Sequence, residues 1–348
     1  MNNDKIKVGI IGATGYAGVE LVRILLNHPQ AEITALGSVS FEGKALSEVY
    51  PSMQGLCDTV CCSTEEVIEK SDVVFACVAH GMSEDFAAKC FAKGVAFIDL
   101  GADFRLEDEA DYELWYGGKF TEKELHGKAV YALPELFRDK IKASRILANP
   151  GCYPTSIALG LYPALKAGMA EKSGIVIDSK SGVTGAGRAP SDTTHFPVCN
   201  EAFSPYKIAT HRHTPEIEQT LSDAAGEKIT VVFVPHLLPV NRGIVSTIYT
   251  KLRSGVTFTQ VREEYENFYK DEPFVRLKKD GETANLRDVK YSNYCDISLH
   301  FDERTGTLII VSAIDNMVKG AAGQAVQNMN IIFDLPEAAG LNFIPPAF

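Results

Sequence analysis

A short apolar run, Lys7–Ile11, ends in Gly12-Ala13-Thr14-Gly15-Tyr16-Ala17-Gly18, and an amphipathic stretch, Val19–Leu26, follows at once. A strand that stops on closely spaced glycines and restarts as a helix constrains the fold more than any other feature of this chain. Glycine permits positive φ and lets a ligand approach the backbone. The helix that follows offers unpaired N–H groups and the positive end of its dipole to an anion. The spacing is Gly-x-x-Gly-x-x-Gly rather than Gly-x-Gly-x-x-Gly, so its meaning rests on context. That context is present. Strands are expected at Ile33–Leu36, Val73–Val78 and Ala96–Leu100, separated by helix-length segments. Such alternation builds a parallel sheet from βαβ units. Gly12, Thr14, Gly15, Tyr16 and Gly18 are therefore expected to hold the phosphates of a dinucleotide.

The second strand carries the next piece of information. A site for NAD usually places Asp or Glu at its end, to bond the ribose hydroxyl. Here the strand ends Leu36-Gly37-Ser38-Val39-Ser40, with no acid. Ser38 and Ser40 suit a 2′-phosphate, and Lys44 adds charge, so NADP(H) is the expected cofactor.

At Asn149-Pro150-Gly151 the pattern changes. A helix is expected from about Thr155 to Leu165, then strands at Ile175–Lys180, Thr230–Pro235, Ile244–Leu252, Cys295–Phe301 and Leu308–Ile314. A polar, glycine-rich stretch, Ser181–Arg188, interrupts them. Long strands lying close together indicate a mixed or antiparallel sheet. The fold class is α/β: a Rossmann-type dinucleotide-binding domain over 1–150, then an α+β domain over 151–316. A last helix is expected over Val318–Ile332, rich in small residues. A length of 348 residues suits two domains. The net charge of −11 leaves no bulk field for nucleic acid or an anionic membrane. No apolar run reaches the ~18 residues of a membrane span, and the first residues lack a signal-peptide cleavage pattern. A cytoplasmic location is expected.

Eight cysteines are present, with no Cys-x-x-Cys pair and no histidine at zinc-finger spacing, so reduced thiols and no metal are expected. Cys152 stands apart, in Asn149-Pro150-Gly151-Cys152-Tyr153-Pro154-Thr155. Pro150 and Gly151 enforce a turn and Pro154 suits a first helical turn. The thiol is thus placed at a helix N-terminus, which favours thiolate. Cys77 in a strand and Cys90 in the helix Phe86–Ala92 read as small hydrophobes. Cys57, Cys61, Cys62, Cys199 and Cys295 show no activating neighbours. A base is offered by His211 or His213, just before a helix with Thr214 as N-cap and Pro215 as first residue. In an extended segment the two rings would lie on opposite faces. A thiolate beside a dinucleotide implies attack on an activated acyl carbon, then hydride reduction of the thioester.

These residues resemble the N-acetyl-γ-glutamyl-phosphate reductase family over nearly the whole chain. The resemblance rests on GATGYAG (12–18), AHGMS (79–83), DLGADFRL (99–106), YALPEL (131–136), NPGCYPT (149–155), DSKSGVTGAGR (178–188), HRHTPEIEQ (211–219) and DNMVKGAAGQA (315–325). It implies NADPH-dependent reduction of N-acetyl-L-glutamyl 5-phosphate to the 5-semialdehyde, with release of phosphate, in arginine biosynthesis. It implies Cys152 as nucleophile and His211 as acid/base, with His213 second. Arg105 is implied to hold the substrate carboxylate, and Asn149 is implied to bind substrate as well. Ser181, Gly182 and Arg188 are implied to meet the phosphate or N-acetyl end, and Arg242 is a weaker candidate of that kind. Asn316 is implied to touch the nicotinamide side. The final segment, 317–348, is implied to return to the dinucleotide domain, and the protein to be a homodimer or homotetramer. Val39 occupies a place where the family often has an Arg suited to a 2′-phosphate. Related acyl-phosphate reductases compete as readings. NPGCYPT and HRHTPEIEQ count against an aspartate-semialdehyde dehydrogenase. An aminoadipyl enzyme differs by one methylene, worth only about 1–3 kcal/mol of discrimination. A non-catalytic NADP-binding regulator would require Cys152 to be inert.

Overall fold

A computed structural model describes residues 5–348. They form two compact units: residues up to Pro150 with Ala321–Asn342, and Gly151–Gly320 with Phe343–Phe348. The sequence assigned all of 317–348 to the first unit. Residues 317–320 and the last six residues lie with the second instead.

The first unit holds strands β1 (Ile6–Ile11), β2 (Ala31–Gly37), β3 (Cys61–Cys62), β4 (Val73–Ala76), β5 (Ala96–Asp99), β6 (Val130–Tyr131) and β7 (Ile146–Ala148). Their order is β3-β2-β1-β4-β5-β7-β6, and every pairing is parallel. Strands covered on both faces need apolar runs, and Val8, Ile10, Val73, Val74 and Phe75 are fully buried. Helix α1 (Tyr16–Leu25) returns the chain from β1 to β2, and α2 (Ser83–Ala92) from β4 to β5. The order reverses at β1, so the crevice outside the carboxyl ends of β1 and β4 is the switch point where such sheets bind ligands. Helix α3 (Pro134–Lys142) packs against the C-terminal helix Gly323–Ile332. That last helix is buried along its whole length, so its polar side chains bond inward: Asn328 Nδ2 donates to Ala132 O and to Asn149 Oδ1.

The second unit holds β8 (Ile175–Gly182), β9 (Ser204–Pro205), β10 (Val231–Leu238), β11 (Ile244–Lys251), β12 (Val275–Leu277), β13 (Cys295–Asp302) and β14 (Thr307–Ile314), in the order β12-β13-β14-β11-β8-β10-β9. The sheet is mixed. β10 runs parallel to β8 and β12 to β13, and the other pairs are antiparallel. Helix α4 (Cys152–Lys166) packs on β11 and β14, flanked by α5 (Thr214–Ala225) and α6 (Phe258–Tyr269). Gly160 lets α4 come close, since a Cβ there would lie 2.9 Å from Ile248 Cδ1. Tyr265 and Tyr269 of α6 donate their hydroxyls to Gly160 O and Leu159 O. The other face of the sheet carries Val232, Val176 and Tyr249 side by side, 58%, 38% and 36% exposed.

Candidate active site

In the first unit the glycine turn has the expected form. Gly12 sits at φ +80°, and a Cβ there would meet Cys77 O at 2.3 Å. Gly15 precedes α1 as its cap, and its N–H donates to Gly12 O at 3.0 Å. A Cβ on Gly18 would lie 2.3 Å from Gly12 O, so α1 can start tight against the turn only with glycine there. Thr14 Oγ1 lies 2.8 Å from Ser38 Oγ, both buried, which ties the turn to the end of β2. Tyr50 fixes the same turn by donating its hydroxyl to Thr14 O. Tyr16 is at the start of α1 and partly exposed, and Ser40 and Val39 are exposed beyond β2. A narrow turn with no room for a Cβ at Gly12 or Gly18, followed by a helix N-terminus, fits a pyrophosphate.

In the second unit Cys152 is the first residue of α4, with Gly151 as its cap. Three contacts fix this turn. Thr155 donates both its N–H and its Oγ1 hydroxyl to Gly151 O. The Gly151 N–H donates to Glu216 Oε1 at 2.7 Å. Gly320 backs onto the cysteine so closely that a Cβ on it would lie 2.8 Å from Cys152 Cβ. Cys152 itself is half-buried. Glu216 is fully buried in α5. The sequence read it only as an acidic first-turn residue, because its partner lies 65 positions earlier.

Next to Cys152, Tyr153 gathers an aromatic cluster. Its ring meets His211 edge-on at 5.5 Å and His213 at 6.0 Å, and its hydroxyl lies 3.0 Å from that of Tyr206. Tyr206 also packs on His211 at 5.6 Å. Burial pushes the Tyr206 phenol up to about 12, with the Cys152 charge adding to it. The histidines do not sit on an extended segment. His213 is in a helical conformation, and its N–H donates to His211 Nδ1 at 3.1 Å. The turn brings both rings against Tyr153 instead of onto opposite faces. Thr214 is the first residue of α5 rather than its cap. Because Nδ1 of His211 accepts, its proton resides on Nε2. Burial pushes the His211 pKa down to about 4, with Lys207 and Arg212 adding to the effect. Near pH 7 the ring is therefore neutral, with Nε2–H left to donate.

Three of the expected site residues also hold the fold together. Asn149 is buried, with Nδ2 on Ala321 O and Oδ1 accepting from Asn328, so it braces the first unit. Arg105 is buried and donates to Asn149 O at 2.9 Å and Leu100 O at 3.0 Å, so much of its donor capacity shapes that turn. Asn316 lies in the second unit. Its Oδ1 accepts from Gly243 N–H at 2.7 Å and its Nδ2 donates to Thr184 Oγ1 at 3.1 Å. It braces the Ser181–Arg188 segment. In that segment Ser181 and Gly182 end β8, and a Cβ on Gly182 would meet Asn241 at 2.7 Å. Arg188 is exposed. Arg242 pairs with the buried Asp315 at 3.5 Å and lies over the Tyr291 ring.

None of the eight cysteines is in a disulfide. Burial pushes the Cys90 thiol up to about 12 and raises Cys77 further. Among the described residues no group of three His, Cys, Asp or Glu side chains gathers to hold a metal, and no helix is long and apolar enough to cross a membrane.

Residues 7–144 match the semialdehyde dehydrogenase NAD binding domain, and 152–316 the semialdehyde dehydrogenase dimerisation domain. Among solved structures, aspartate semialdehyde dehydrogenase II of Vibrio cholerae superposes with a TM-score of 0.74 at 18% identity, covering 95% of this chain and 99% of that one. An aspartate semialdehyde dehydrogenase of Candida albicans, solved with NADP, gives 0.68 at 16%, covering 95% and 99%. These share the fold. Closer in sequence are proteins named N-acetyl-gamma-glutamyl-phosphate reductase. That of Brachyspira hyodysenteriae is 58% identical over 99% of this chain and 100% of its own length. That of Clostridium beijerinckii is 54% identical with the same coverage, and that of Symbiobacterium thermophilum is 50% identical over 99% of each. With its glycine turn, its helix-start cysteine and this likeness along nearly its full length, the chain belongs to the N-acetyl-gamma-glutamyl-phosphate reductase family.

Proposed function

We propose that this protein reduces N-acetyl-L-glutamyl 5-phosphate to N-acetyl-L-glutamate 5-semialdehyde and phosphate, as a step of arginine biosynthesis. The observation that carries the reading is Cys152, fixed at the start of α4 by Glu216 and Gly320 and followed by Tyr153, against which the neutral His211 packs. Gly12, Thr14, Gly15, Tyr16, Gly18, Ser38 and Ser40 would hold NADP(H), which supplies hydride when bound. The remaining chemistry belongs to the chain. The Cys152 thiolate attacks the acyl carbon, the carbon–oxygen bond to phosphate breaks, and phosphate leaves. First-turn N–H groups of α4 stabilise the oxyanion. After reduction of the thioester, the oxyanion collapses to the aldehyde carbonyl, the carbon–sulfur bond breaks and the sulfur returns to thiolate, with the His211 Nε2–H assigned to steady the charge that moves between oxygen and sulfur. Ser181, Gly182 and Arg188 are assigned to the phosphate or N-acetyl end.

The test runs the reaction backwards. Semialdehyde, phosphate and NADP or NAD are mixed with the protein, and absorbance of reduced cofactor is followed. A signal with NADP is expected. No signal with either cofactor overturns the function, and a signal with NAD alone overturns only the cofactor assignment. The protein is further assigned to the cytoplasm and to a homo-oligomer built through its second unit, which matches a dimerisation domain.

A further inference from the structure

Tyr206 makes a bond that the mechanism above does not use. It stands at the head of the segment that carries His211. Its N–H donates to Pro235 O at 3.0 Å, and the two residues before it, Ser204 and Pro205, pair with β10. This end of the segment is therefore tied to the sheet. Tyr153, next to Cys152 on α4, donates its hydroxyl to His236 O at 3.5 Å. Its oxygen is left to accept, and the Tyr206 hydroxyl lies 3.0 Å from it. The cysteine helix and the histidine segment are thus joined through two phenols. The Tyr206 ring also meets the His211 ring edge-on, at 5.6 Å between centroids.

The backbone between the two rings is strained. Lys207, Ile208, Ala209 and Thr210 separate Tyr206 from His211, and all four are exposed. Lys207 sits at φ +45° and Ala209 at φ +56°. A Cβ is crowded in that left-handed region, so neither residue rests in it freely. A backbone bond crosses the turn, from the Thr210 N–H to Lys207 O at 3.1 Å. Packing does not hold a turn whose side chains face solvent, so its constraint comes from its ends. At the far end, His211 O accepts from the Thr214 N–H at 2.9 Å, and His211 Nδ1 from the His213 N–H, where α5 begins. At the near end stands Tyr206. Strain of this kind persists only where the surroundings over-determine it. We propose that Tyr206 is a positioning residue: by donating to Tyr153 it latches the strained turn to the cysteine helix, and so fixes where the His211 imidazole stands relative to Cys152. This rests on the reading of Cys152 and His211 given above.

Tyr206→Phe removes the hydroxyl and keeps the ring. Turnover is read in the reverse reaction, and the latch is read separately, by hydrogen exchange of the 207–213 peptide in mass spectrometry. Tyr206→Phe should lower kcat about 5- to 10-fold, as loss of one neutral hydrogen bond predicts, with KM for NADP unchanged. Exchange at 207–213 should quicken by a similar factor. Adding Ala209→Gly relieves the left-handed turn and should return both quantities toward wild type, which a general loss of packing would not allow. Alkylation of Cys152 by iodoacetamide should keep its wild-type rate in Tyr206→Phe, because the Tyr206 hydroxyl is spent on Tyr153. Wild-type kcat and exchange in Tyr206→Phe overturn the proposal. So does a failure of Ala209→Gly to restore either, or a fall in Cys152 alkylation that matches the fall in kcat. Wild type without turnover overturns the proposed function, and exchange alone then decides the latch: equal rates in wild type and Tyr206→Phe overturn it.

Discussion

At the scale of the residue, the site depends on which thiols and imidazoles stay neutral. Burial raises the thiols of Cys77, Cys90, Cys61 and Cys62, with nearby charges adding to it in three of them. Cys152 is half-buried at a helix start. Iodoacetamide at neutral pH should therefore modify Cys152 well before those four, as read by peptide mass spectrometry, and Cys152→Ser should abolish turnover. Equal labelling of all five would remove the case for a nucleophile. His211 makes a second prediction. Its folded pKa is about 4, against about 6.5 when exposed. Between those values the unfolded chain binds more protons, so stability rises with pH. This contribution is complete above about pH 6.5 and is lost as pH falls toward 4, on the order of 3 kcal/mol in all. Urea unfolding of His211→Asn should show a shallower loss of stability between pH 6.5 and 4.5 than wild type. An identical slope would mean that the ring is not held neutral by the fold.

At the scale of the element, glycines decide what can approach what. Gly12→Ala would force alanine into φ +80° and drive its Cβ against Cys77 O. Left-handed φ alone costs about 1–2 kcal/mol, so urea melts should show at least that loss together with weaker NADPH binding. Gly320→Ala is expected to act differently. Its Cβ would press on Cys152 Cβ, so kcat should fall while NADPH binding stays near wild type. Equal kcat in that variant would show that the cysteine tolerates displacement. These elements also mark what could be read in advance. The strand–glycine–helix turn was legible because its physics is local: three glycines, one helix start, one strand end. Cys152 was legible for the same reason, since Gly151 and Pro154 are its neighbours. The strands β3, β6 and β7 were not, being two or three residues long and too short to show a period. The structural bonds of Arg105, Asn149 and Asn316 were not legible because their partners are distant backbone groups: Asn149 O for Arg105, Ala321 O for Asn149, Gly243 N–H for Asn316. Residue type announces donor capacity, and only the fold says where it is spent.

At the scale of the whole molecule, the division of labour follows from the two sheets. A parallel sheet buried on both faces leaves its switch point for a ligand, and no face for a partner. The mixed sheet of the second unit covers one face with α4 and leaves the other with Val232, Val176 and Tyr249 aligned in adjacent strands. Neighbouring on that face, Asp178 pairs with Lys180 at 2.9 Å, so charge there is already matched within one copy. An apolar row bordered by matched charges suits a second copy of the same surface better than a charged partner. Val232→Asp places an unmatched carboxylate in that row without touching α4 or Cys152. Light scattering should then show a shift toward monomer at micromolar concentration, while the far-ultraviolet circular dichroism is unchanged. Assembly that persists in both Val232→Asp and Tyr249→Asp would move the interface to another face of the second unit.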